Sequence, residues 1–132
     1  MEWLVYCISQ RVGGGGDDSS LSGFSGGNFS GACMRNFDLT ACRFSGAVLS
    51  DAALSCANLS GGDFTAASFR SARLWRCYAQ RAVLIDADFR DADLCGMYAR
   101  LAACCGAVFA GVNVSGTTFP EWAAVLYQQF VC

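Results

Sequence analysis

The sequence predicts a repeat solenoid with a dry core and wetted walls, and three observations predict it. A large apolar residue recurs at every fifth position through most of the chain. A small residue usually stands two positions before it. Ser, Thr, Asp, Asn, Arg and Gly fill most of the other three places. A period of five is neither the 3.6 of a helix nor the 2 of a strand. A chain that turns a corner every five residues satisfies it. Each step then points one bulky and one small side chain inward, and a turn is stable only when stacked on its neighbours.

The inward series runs Phe24, Phe29, Met34, Leu39, Phe44, Leu49, Leu54, Leu59, Phe64, Phe69, Leu74, Ala79, Leu84, Phe89, Leu94, Ala99, Cys104, Phe109, Val114 and Phe119. None of these twenty is charged, and none is Ser, Asn or Gly. Its principal core members are Phe24, Phe29, Phe44, Leu49, Leu54, Leu59, Phe64, Phe69, Leu74, Leu84, Phe89, Leu94 and Phe109. The small partners include Ala32, Cys42, Ala47, Ala57, Gly62, Ala67, Ala87 and Ala107.

The units "ANLSG", "GDFTA", "ADFRD" and "ADLCG" resemble the A-(D/N)-(L/F)-x-x unit of pentapeptide-repeat proteins, over about residues 22–119. The resemblance implies an all-β fold: a right-handed quadrilateral parallel β-helix with four units per coil, hence about five coils here. The sequence carries a mark of the twenty-residue coil. Sorted into four columns, seven of the eight inward Phe fall in the two headed by Phe24 and Phe29. Residues twenty apart then become neighbours at ~4.8 Å. Arg43 with Asp63, and Arg73 with Asp93, are expected to form exposed ladder salt bridges, and Tyr78 to stack on Tyr98. In the fourth column Ala79 and Ala99 stand where large residues are expected, with Cys77 and Met97 refilling the core beside them.

Residues 1–21 are expected to be an N-terminal cap segment and a Gly-rich linker, and residues 22–119 the β-helix. Residues 120–132 are expected to form a short C-terminal α-helix. Thr118 and Glu121 are spaced as a capping box, and Pro120 suits a first helical turn. Trp122, Val125, Leu126 and Phe130 then share one face. That face reads either as a lid over the last coil or as a homodimer contact, since in several family members a C-terminal helix joins two solenoids end to end. Gly13–Gly16 lacks the following helix and Lys-Ser/Thr of a phosphate loop.

Composition removes several chemistries. All nine basic residues are Arg, and with no His and no Lys a His-based triad or a His metal site is excluded. The nine cysteines include no C-x-x-C, and no metal or other cofactor is expected. Cys42, Cys77 and Cys104 fall inward, where Cys acts as a small hydrophobe. Asp88 and Asp93 occupy the repeat position whose side chain braces the turn, which leaves little of the Asp86, Asp88, Asp91 and Asp93 group for catalysis or calcium. Met1-Glu2-Trp3-Leu4 does not open like a cleavable signal, and no run approaches 18 apolar residues. The expectation is a cytoplasmic chain with mostly reduced thiols and no membrane contact.

Arg70, Arg73, Trp75, Arg76, Tyr78 and Arg81 circle one coil as a belt of the residue types that favour protein-contact hot spots. With a net charge of −2, direct nucleic-acid binding is not expected. The predicted function is therefore a non-catalytic, rigid protein-interaction scaffold. The resemblance also implies an alternative. Some family members mimic B-form DNA, occupy the DNA site of type II topoisomerases and protect gyrase against quinolones. Weak charge and only five coils fit that alternative poorly.

Overall fold

The computed structural model describes residues 23–118. Over that span the backbone repeats one five-residue unit without interruption. In each unit the amide three residues after the inward residue bonds back to that residue's carbonyl; Ala67 N–H donates to the Phe64 carbonyl at 3.0 Å. The third residue of every such turn has positive φ, between 55° and 75° at all nineteen described corners. A single left-handed residue at that place defines a type II turn.

Four corners make one coil, because residues twenty apart pair as parallel bridges, from Gly23 with Arg43 to Tyr98 with Thr118. Three backbone hydrogen bonds tie each unit within the span to the coil above. Around Phe64 they are Phe64 N–H to Val83 O at 2.8 Å, Ala66 N–H to Ile85 O at 2.7 Å and Val83 N–H to Gly62 O at 2.8 Å. The result is a four-sided parallel β-helix of nearly five coils. Its walls are named here by their lowest inward residue: Phe24 heads the first, Phe29 the second, Met34 the third and Leu39 the fourth.

The predicted core is the observed core. Phe29, Phe44, Leu49, Leu54, Leu59, Phe64, Phe69, Leu74, Leu84, Phe89 and Leu94 are buried, while Phe24 and Phe109 pack partly buried against them. Phe24, Phe44 and Phe64 form one ring ladder at 5.0 and 5.2 Å, and Phe69, Phe89 and Phe109 another at 4.9 and 5.2 Å. Phe64 and Phe69 touch at 5.5 Å and join the two. Stacked pairs add roughly 0.5–1.5 kcal/mol beyond burial. On the fourth wall Cys77 and Met97 are buried beside Ala79 and Ala99, so large and small exchange places there as expected.

The Arg43–Asp63 and Arg73–Asp93 salt bridges do not form, although both pairs are backbone neighbours. Asp63 instead accepts from the Thr65 amide at 3.0 Å and hydroxyl at 2.6 Å, and Asp93 from the Cys95 amide at 3.0 Å. A donor two residues along the same turn is held in place by the backbone, whereas an exposed ladder pair must order a long Arg side chain for ~0–1 kcal/mol. The expected C-terminal helix with Trp122, Val125, Leu126 and Phe130, the expected N-terminal cap segment and Phe119 lie outside the described residues, which contain no helix.

Phe69→Ala should lower unfolding free energy by about 3–5 kcal/mol in urea titration, against under about 0.5 for Val48→Ala on the second wall. Gly61 has φ of +68° with open space where a Cβ would stand. Gly61→Ala should therefore cost about 1 kcal/mol through left-handed strain alone.

Candidate protein-contact face

The outward residue just before each inward one, with the two residues of each corner, makes up the surface. A coil therefore reads its sequence around the tube, while a partner meets residues stacked along it. Arg70 lies at the corner between the second and third walls and Arg73 on the third wall. Trp75 and Arg76 lie at the corner between the third and fourth walls, Tyr78 on the fourth wall and Arg81 at the corner between the fourth and first. The belt thus takes in three corners of the square, and one flat partner does not meet both Arg70 and Arg81.

What the coil does bring together is Trp75, Arg76, Tyr78 and Arg81 with three residues from the coil above: Tyr98, Arg100 and Leu101. Trp75, Tyr78, Tyr98 and Leu101 are 41%, 46%, 45% and 61% exposed. The two tyrosine rings stack at 5.3 Å and 8°. Neither phenol has a hydrogen-bond partner among the described residues. Arg76 lies over the Trp75 ring at 4.7 Å, and its stem runs beside Gly96, where a Cβ would stand 3.3 Å from Arg76 Cγ. Along the fourth-to-first corner, Thr40, Ser60, Gly61, Gln80, Arg81, Arg100 and Leu101 line a groove of about 460 Å³. The sequence reading paired Tyr78 with Tyr98 but missed Arg100 and Leu101 as members of this face. A signal was present: both sit twenty residues above Gln80 and Arg81.

The other candidate chemistry resolves into turn bracing. The Asp or Asn before the inward residue accepts the amide two residues on: Asn28 from Ser30, Asp38 from Thr40, Asn58 from Ser60 and Asn113 from Ser115. Asp88 accepts the Arg90 amide at 3.0 Å and its guanidinium at 2.6 Å, the ion pair among the described residues. The Arg90 hydrogen bond holds the Asp88 carboxyl below its usual range. Cys33, Cys56 and Cys95 carry free thiols at or near the surface, and Cys105 is disulfide-bonded. Cys77 donates to the Leu54 carbonyl in the core. Burial pushes the Cys77 and Cys104 thiols from 9.0 up to about 12.

The model of the family described as pentapeptide repeats matches residues 38–70, 63–97 and 87–121, well over half of the chain. The chain belongs to the pentapeptide-repeat family, and the four-sided coil described above is the fold expected of it. Among solved structures it is similar to the pentapeptide-repeat protein Rfr23 of the cyanobacterium Cyanothece 51142, with 24% identity, 63% of this chain covered and a TM-score of 0.47. The chain spans 64% of that protein's length. It is also similar to a pentapeptide-repeat protein of the Arabidopsis thaliana thylakoid lumen, with 25% identity, coverage of 80% and 69% of the two chains and a TM-score of 0.43. A third similar structure is QnrB1, a plasmid-mediated fluoroquinolone resistance protein, with 24% identity, coverage of 71% and 66% and a TM-score of 0.43. No curated protein matches the sequence.

The raised thiols make an alkaline prediction. The folded chain holds those protons more tightly than the unfolded chain, so their contribution to stability is whole below about pH 9 and is lost as pH rises toward about 12. Urea midpoints should fall across that window, and less in Cys77→Ala/Cys104→Ala. Iodoacetamide at pH 8 should label Cys33 in the native protein and reach Cys77 and Cys104 only after denaturation.

Proposed function

We propose that this protein is a non-catalytic scaffold that presents the fourth wall of its coil to a protein partner. The observation that carries the reading is where the chain places its bulky left-handed residues. Nineteen described corner residues adopt the left-handed conformation, and sixteen of them are Gly, Ala, Ser, Cys, Asn or Asp. The other three are Arg76, Arg81 and Leu101, with φ of 55°, 58° and 62°, and all three border the fourth wall. The Cβ of any ordinary L residue at such a place costs about 1–2 kcal/mol, and Ala66 and Ser71 carry it at other corners; what sets these three apart is the size of the side chain held there. They flank the wall that also exposes Trp75 and the Tyr78–Tyr98 stack. Strain retained beside exposed aromatics and arginines supports a contact surface.

The remaining chemistry supports a non-catalytic role. The buried thiols stay protonated at neutral pH, and the aspartates that precede inward residues on the mid-coil walls are bound to their own turns. The described coil carries eight Arg and seven Asp, far from the dense negative charge that duplex mimicry requires.

A photo-crosslinking residue placed at Tyr98 should give a discrete protein adduct in the lysate of the native host, and one placed at Val48 on the second wall should not. Trp75→Ala in the Tyr98-substituted chain should remove the adduct. Equal labelling from both walls, or none from Tyr98, would overturn the assignment. A supercoiling assay in which the chain protects gyrase would replace it with the topoisomerase reading.

A further inference from the structure

We infer that the fourth wall receives an extended acidic segment of the partner, laid along the coil axis in the groove beside Arg81, Arg100 and Leu101; this rests on the scaffold reading above. On the two central coils the fourth wall carries no carboxylate. Asp63 lies on the first wall, and Asp86, Asp88, Asp91 and Asp93 lie on the second wall, its two corners and the third wall, where Arg70, Arg73 and Arg90 stand among them. Arg76, Arg81 and Arg100 flank the fourth wall, and no carboxylate among the described residues pairs with them. Asp38, at the foot of the same wall two coils below Tyr78, is already bonded to Thr40.

The exposed groups of this wall are donors. Tyr78 and Tyr98 each bury a ring face on the other, so their accessible parts are the electropositive ring edges and two unpartnered phenols. Arg76 covers one face of Trp75. Stacking platforms for single-stranded nucleic acid need open ring faces, and here one face of each of the three rings is already taken. Ring edges, phenols and guanidinium groups suit carboxylates. Leu101 adds one apolar contact at the groove's upper end, and Thr40, Ser60 and Gly61 leave the lower end open. From Thr40 to Arg100 the groove spans three coil steps, about 14 Å, the length of about four extended residues.

The test uses the full chain and phage-displayed random twelve-residue peptides, followed by fluorescence anisotropy on the enriched sequences. Enriched peptides should be rich in Asp and Glu with an apolar residue. They should bind about tenfold more weakly to Arg81→Ala/Arg100→Ala, and equally well to the control Arg43→Ala on the first wall. Leu101→Gly relieves the left-handed strain and should melt at the same temperature or higher, yet lose affinity; a merely structural Leu101 would not separate the two. Neutral or basic peptides that lose binding on Tyr98→Ala would overturn the acidic segment and leave the contact wall standing. No enrichment, or binding indifferent to every fourth-wall substitution, would overturn both. Displacement of the peptides by a twenty-residue oligo-dT would assign the wall to nucleic acid instead.

Discussion

The type II turn at each corner is the constraint on which the rest of the molecule depends. It turns the chain through one corner of the square in a fixed number of residues and always at the same phase of the repeat. Every inward side chain therefore meets the one twenty positions later. The Phe64–Val83 and Val83–Gly62 backbone bonds lie along a direction set by those corners, and so do the ring ladders. A helix protects its amides within one segment and a conventional sheet within long ladders. This coil does neither: each residue pair is an isolated bridge. Order is therefore collective along the axis, as in other solenoids, with each coil stabilised mainly by its two neighbours.

The same constraint explains what was legible in the sequence and what was not. Inward residues are chosen by volume and hydrophobicity, so Phe44, Leu54 and Phe89 announce themselves at five-residue spacing. Even the exchange of size between Ala79 and Cys77 can be read, because total core volume must be kept. Outward residues answer to local hydrogen bonding as well as to neighbours. Arg43 and Asp63 stand at ladder spacing, yet the Thr65 amide orients the carboxylate and the exposed arginine does not join it. Spacing reveals adjacency but not which of two adjacent donors is pre-ordered.

The contact face was half legible for a related reason. Trp75, Arg76, Tyr78 and Arg81 were conspicuous as residue types, but reading along the chain traces a path around the tube. A partner reads along the axis, where Arg81 is followed by Leu101 and Tyr78 by Tyr98. The information that Arg81 and Leu101 occupy strained backbone was also hidden, because a corner residue is recognisable as left-handed only once the register of the turn is known. With that register in hand, an unremarkable Leu becomes the largest apolar group at any described left-handed corner, and an exposed one.

Strain and rigidity belong to one argument. A loop carrying Leu101 would relax out of an unfavourable conformation, and no strain could accumulate. In the coil it cannot relax, because the Ala102 amide is bonded back to the Ala99 carbonyl at 3.0 Å and Ala103 to Ala82 at 2.9 Å. The neighbouring coils hold the corner in place, as they hold Arg76 between Trp75 and Gly96. Side chains presented in this way lose little freedom when a partner arrives, which reduces the ordering cost of association. The stacked core thus acts at a distance on recognition: it supplies no contact itself, but it keeps the arginines, phenols and leucine of the fourth wall in an arrangement that a flexible chain of the same composition would not hold.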